Sequence, residues 1–163
     1  MSVREYFFQR WEQEQPKFAS VIRAMPDGQL DYTPHERSTK AGDLAWQLVE
    51  EQRMLSELVD HAVIPFNMRP RPASVSEIAQ EWDAQTGSLK SKLSNIDDAT
   101  WQRDAQFKMG DQVLGNSPTG EFLWGFLFDM VHHRGQLTTY LRPMGGKVPS
   151  IYGPSADDQG SNS

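Results

Sequence analysis

The chain has 163 residues, no cysteine and a formal charge of −6 at pH 7, a length that suits one domain able to bury a sizeable core without covalent staples. The missing thiols exclude disulfides, thiolate zinc sites and a cysteine nucleophile, and an acidic balance without any Lys/Arg cluster excludes a nucleic-acid surface of the basic-stripe kind. No apolar run approaches the ~18 residues of a membrane span, and the opening MSVREYFFQRW mixes charges into its apolar residues as a signal peptide does not, so a soluble, cytoplasmic protein is expected.

Ser2 followed by Glu5 has capping-box spacing, and Phe7, Trp11, Phe18, Val21, Ile22 and Met25 keep helical phase behind it. This predicts a first helix running to about Ala24, kinked at Pro16. Pro26, Asp27, Gly28 and Pro34 mark a loop. Thr39 is expected to cap a second helix, with Asp43 in its first turn, Leu44, Leu48, Leu55 and Leu58 inward, and Gln47 and Glu51 on or beside that stripe. Pro65, Pro70 and Pro72 force a non-helical connection. Ser74 with Glu77 opens a third helix that turns Val75, Ile78, Trp82, Leu89 and Leu93 inward.

Asp98 to Arg103 suits one helical turn, and the segments around Gln106 and Val113, separated by Met109, Gly110 and Asp111, suit a small hairpin. Ser117, with Pro118 behind it, is expected to cap a last helix that Pro143, Gly145 and Gly146 stop near Leu141. The expected fold is an all-α four-helix bundle over residues 1–154, with a small hairpin between its third and fourth helices and a flexible polar tail over 155–163.

The last helix carries the chemistry. Phe122, Phe126, Leu137 and Tyr140 recur at helical spacing, and Asp129 and His133 interrupt that stripe on the same face, one turn apart. A carboxylate and an imidazole facing a core need a partner or a metal, because desolvating them alone is expensive. The pair is therefore either a metal site or a hydrogen-bonded structural contact. His132 points about 100° away around the helix, to the surface or beside the site. Trp46, Trp124 and Tyr152 are candidates to line a ligand cavity, although aromatics at helical spacing also serve as plain core.

The run HHRGQLTTYLRPMGGKVPSIYGPSADD, His132 to Asp158, resembles the C-terminal signature of the DinB-like family of small four-helix bundles, the damage-inducible group unrelated to the polymerase of the same name. LDYTPHERSTKAGDLAWQLVEEQ, Leu30 to Gln52, resembles the family's second-helix motif. The resemblance implies an up-down-down-up bundle, a homodimer, and a divalent metal held by three histidines. Position by position those ligands fall on Gln47, Asp129 and His133, so one of the three histidines is present here.

One imidazole, one carboxylate and one amide oxygen make a harder set than three imidazoles, suited to manganese, iron or zinc where the usual site takes zinc, nickel or iron(II). Glu51, one turn beyond Gln47, is a further candidate ligand, and His132 another. The resemblance further implies an enzyme of the thiol-dependent transferase or isomerase type, or a hydrolase or transferase more broadly, that binds a small thiol such as glutathione, bacillithiol or mycothiol. The competing reading is a non-catalytic homodimeric, stress-related binding or scaffold protein with a degenerate metal site.

Overall fold

The computed structural model describes residues 1–159. Its elements are α1 (Val3–Arg23), α2 (Ala41–His61), β1 (Val63–Pro65), α3 (Val75–Leu93), α4 (Asp98–Gln102), β2 (Asp104–Met109), β3 (Gln112–Pro118) and α5 (Thr119–Leu141). Both capping boxes form: the hydroxyls of Ser2 and Ser74 accept from the amides of Glu5 and Glu77, whose carboxylates accept in return from the cap amides. Pro16 lies inside α1, which continues through it.

Contacts along the long helices fix their directions. Glu12 pairs with Lys90 and Arg23 with Asp83, so α1 and α3 are antiparallel. Phe7 meets Trp124 and Glu14 meets Arg134, so α1 and α5 run together. Residues 66–73 return along α2 as a strap: Arg53 donates to Asn67, Arg69 to Glu50, and Arg71 to Asp43. The strap thus delivers α3 beside the start of α2, and the Lys92–Asp60 pair joins their far ends, so these two helices are parallel. With Gln47 against His133, α5 opposes α2. The result is the expected four-helix bundle in up-down-down-up order, with a shared core of residues such as Trp11, Phe18, Leu48, Leu55, Trp82 and Leu137.

Three local expectations change. Thr39 does not cap α2; Lys40 occupies the cap position without a side-chain bond, because the amides of Ala41 and Gly42 donate to the carbonyls of Tyr32 and Leu30 in the preceding loop. Ser117 does not cap α5; it lies in β3, paired with Ala105, and the ladder runs straight into the helix through the Thr119 amide donating to Arg103 O. The hairpin turning at Gly110 (φ +58°) gains a third strand, since β1 pairs in parallel with β2, Ile64 opposite Phe107. The sheet caps one end of the α2–α5 groove, and α4 seats Trp101 on Gly120, where an added Cβ would lie 2.2 Å from the indole.

After α5 the chain folds back. Asp157 accepts from Arg142 and from the Val148 amide, and Asp158 from the Ser150 amide. The start of the expected free tail is therefore tied to the bundle, while residues 160–163 lie outside the described residues. Among the described residues no helix is long and apolar enough to cross a membrane.

Candidate metal centre and adjoining cavity

The stripe read as the core face of α5 holds in its second half, where Leu137 and Tyr140 are buried, and shifts by one position in its first. Leu123, Leu127, Met130, Leu137 and Leu141 are buried, whereas Phe122, Phe126, Asp129 and His133 form the partly covered edge that faces α2 across a groove. Asp129 therefore lines the cavity wall, with His133 one turn behind it, half-buried and not in the packed centre.

Single atoms of Glu51, Asp129 and His133 lie within 4.8 Å of one another. Glu51 is buried at 2 % exposure, and Asp129 is exposed. Gln47 bridges the set: its Nε2 donates to Glu51 Oε1 (2.9 Å) and lies 2.7 Å from His133 Nε2. His133 Nδ1 lies 2.9 Å from Gln136 Oε1. An amide oxygen only accepts and an amide nitrogen only donates, so the His133 proton sits on Nδ1 and the Nε2 lone pair faces the cluster. Gln136 thus holds the ring in the ligating tautomer.

Donors then fall short of acceptors. Nε2 cannot both accept from Gln47 and donate to Asp129, whose Oδ2 is 3.2 Å away. Glu51 Oε2 is buried without any hydrogen-bond partner. Burial, reinforced by the charge of Asp129 and opposed by the Gln47 hydrogen bond, pushes the Glu51 carboxyl from its ordinary 4.5 up to about 8. Either a proton or a cation must make good the deficit, and two carboxylate oxygens with one imidazole nitrogen are a donor set that fits a divalent cation.

Of the residues singled out in the sequence, Gln47, Asp129 and His133 come together, with Glu51 more central than Gln47. His132 is exposed and outside the cluster, its ring centroid 5.3 Å from that of His133. The three aromatics proposed for a cavity lie elsewhere. Trp46 is buried with its Nε1 donating to Arg69 O, Trp124 packs among Tyr6, Phe7 and Phe128, and the Tyr152 hydroxyl is engaged with Glu14 and Arg134 on the α1 side.

The cavity that does adjoin the cluster has a volume of ≈ 520 Å³ and is lined by Gln47, Glu51 and Asp129 among others. Met54, Phe107, Phe122 and Phe126 wall it, and Phe66 and Met68 from the strap cover it. Phe66, Phe107 and Phe126 meet edge to face, with centroids 5.8 and 5.9 Å apart. Nothing in the sequence marked Phe66 and Met68, which belong to an aperiodic Pro-rich connection.

Comparison with known proteins follows the same lines. The model of the DinB family matches residues 1–160. An uncharacterized protein of Bacillus subtilis (strain 168), YrdA, is 26% identical over 156 residues, 94% of this chain and 90% of its own length. The crystal structure of a DinB-like protein from Bacillus cereus ATCC 10987 superimposes with a TM-score of 0.73 at 22% identity, covering 91% of this chain and 97% of that one. A mycothiol-dependent maleylpyruvate isomerase shares the fold at a TM-score of 0.58 and 10% identity over 90% of this chain, which spans 62% of that longer protein.

Proposed function

Because the chain belongs to the DinB family, we propose that its α2–α5 cluster binds a divalent cation and presents it to the apolar cavity, as in an enzyme of the thiol-dependent transferase type. The shortage of donors around Glu51 Oε2, Asp129 Oδ2 and His133 Nε2 carries this reading. Glu51, Asp129 and His133 would hold the ion, and the Gln47 amide, turned about its last bond, would offer an oxygen in place of the nitrogen it now directs at the cluster.

The bound cation would act as a Lewis acid that lowers the pKa of a thiol. The chain's own residues do the rest. Gln136 fixes the imidazole, burial of Glu51 excludes water from the inner side, and the phenylalanine walls hold an apolar substrate against the cluster. Two carboxylates cancel the charge of a divalent ion, which favours manganese, iron or zinc over a strongly electrophilic site. The similarity in fold to a mycothiol-dependent isomerase supports the thiol class.

One observation favours a second reading. With Glu51 protonated, its hydroxyl can satisfy Asp129 while Gln47 satisfies Glu51 and His133, so the cluster closes without an ion. That arrangement fits a non-catalytic homodimeric binding protein.

Asp129→Ala separates the two. Asp129 is exposed, so the variant should keep the wild-type melting temperature. Calorimetric titration of tag-free protein with manganese, iron(II), nickel and zinc should show affinity reduced by at least about 100-fold, since losing an outer partner of a ligand already costs roughly 10–100-fold. Unchanged affinity, or absence of uptake by the wild type, would support the closed hydrogen-bonded pair.

A further inference from the structure

Glu121 and Asp129 stand eight residues apart on α5, about 12 Å at 1.5 Å per residue, and both line the cavity. Glu51 adds a third carboxyl, and no lysine, arginine or histidine is among the lining residues. Away from the cluster, the Ser117 hydroxyl donates to Glu121 Oε2 at 2.8 Å, which restrains that carboxylate beside the cavity. Most of the remaining lining is methionine and phenylalanine.

With no cation bound, a ligand carboxylate in this cavity would meet the carboxylates of Asp129 and Glu121 and no positively charged lining residue. An ammonium group would meet the Glu121 carboxylate beside an aromatic wall. We propose that the cavity binds an arylalkylamine-class ligand, with its apolar body between Phe122, Phe126 and Phe107 and its ammonium on Glu121, and that without an ion it disfavours carboxylates. This rests on the proposed function in one respect, that the ligand's other end faces the bound cation. Its charge selectivity is that of the ion-free cavity, because a cation held by Glu51 and Asp129 would offer a ligand carboxylate a partner.

Gly125 provides the control. It lines the cavity, and a Cβ built there meets nothing within 4 Å. A leucine at this position would fill the space while improving helix propensity.

The probes are 4-phenylbutylamine, 4-phenylbutanol and 4-phenylbutyrate, titrated into tag-free protein in chelator, with manganese uptake measured separately. The amine should bind about tenfold or more tightly than the butyrate, the penalty of a desolvated charge without a partner. Glu121→Gln, at an exposed residue, should cut the amine's advantage over the alcohol by about threefold to fivefold and leave manganese uptake unchanged. Gly125→Leu should abolish binding of all three probes, again with manganese uptake intact.

Butyrate bound as tightly as the amine, or probe binding that survives Gly125→Leu, would overturn the proposal. An amine preference without any metal uptake would remove the cation reading alone. Metal uptake without an amine preference would remove this one alone.

Discussion

Glu51→Gln is expected to raise the stability of the metal-free protein while destroying its capacity for metal. The carboxyl is pushed from its ordinary 4.5 to about 8 by burial first and by Asp129 second, so between those pH values the folded state holds a proton that the unfolded state has released. The sign follows directly. Stability from this group is complete below about pH 4.5 and is lost as pH rises through about 8. At pH 7 the penalty is on the order of 3 kcal/mol, from roughly 2.5 units at 1.36 kcal/mol each.

An amide carries no such penalty, and its oxygen can still accept from Gln47. Thermal melts of the variant should therefore lie several degrees above wild type at pH 8 and merge with it near pH 4.5, both in chelator. Zinc or manganese should raise the melting temperature of the wild type and leave the variant unmoved. This is the stability cost of a site kept for ligation. A variant no more stable than wild type at pH 8 would show that Glu51 is not strained, and would leave the cluster as ordinary polar packing.

Glu14→Ala is expected to lower stability by about 3–5 kcal/mol, a fall in melting temperature on the order of 10 °C for a chain of this size. Glu14 and Arg134 are 3 % and 2 % exposed, joined at 2.6 Å between α1 and α5. The guanidinium also lies over Phe18, 4.7 Å from the ring centroid, and donates to the Tyr152 hydroxyl. Removing the carboxylate leaves a buried cation without its counter-charge. Burial alone would raise the Glu14 pKa, but the hydrogen bonds from Arg134, Tyr152 and Lys17 hold it below its ordinary 4.5.

Its linkage is opposite to that of Glu51. Stability from Glu14 is present above about pH 4.5 and lost as pH falls through its lowered folded value. Acid titration of wild type and variant should converge below that value. Equal stability at pH 7 would contradict the pair's structural role, and metal affinity unchanged in the variant would confirm that it is separate from the cluster.

The bundle was legible because its signals are local. Ser2–Glu5 and Ser74–Glu77 carry their caps in three residues, and the helical phase of Phe7 to Met25 survives Pro16. The α2 cap was not legible, since Ala41 and Gly42 find their acceptors in the loop at Tyr32 and Leu30, a tertiary contact without sequence spacing. Nor was β1, three residues ending in proline that pair only because β2 arrives beside them.

The site was partly legible. Asp129 and His133 stand out through their place on α5, yet of the stripe they interrupt only Leu137 and Tyr140 lie in the core, while Phe122 and Phe126 line the groove beside the buried Leu123 and Leu127, a difference of about 100° that apolar content on both faces conceals. Glu51 gains its weight from burial, which no spacing reveals. Trp46, Trp124 and Tyr152 attract notice as aromatics, but their places are set by Arg69, Phe7 and Glu14, all distant in sequence.

The most direct measurement is elemental analysis of wild-type protein purified without a histidine tag, beside His133→Ala. The donor deficit at Glu51, Asp129 and His133 leads us to expect about one equivalent of a transition metal in the wild type and almost none in the variant, with both chains folded. Wild-type protein that carries no metal, and takes up none after incubation with manganese, iron(II), nickel and zinc, would contradict the metal centre and leave the cluster closed by the proton on Glu51.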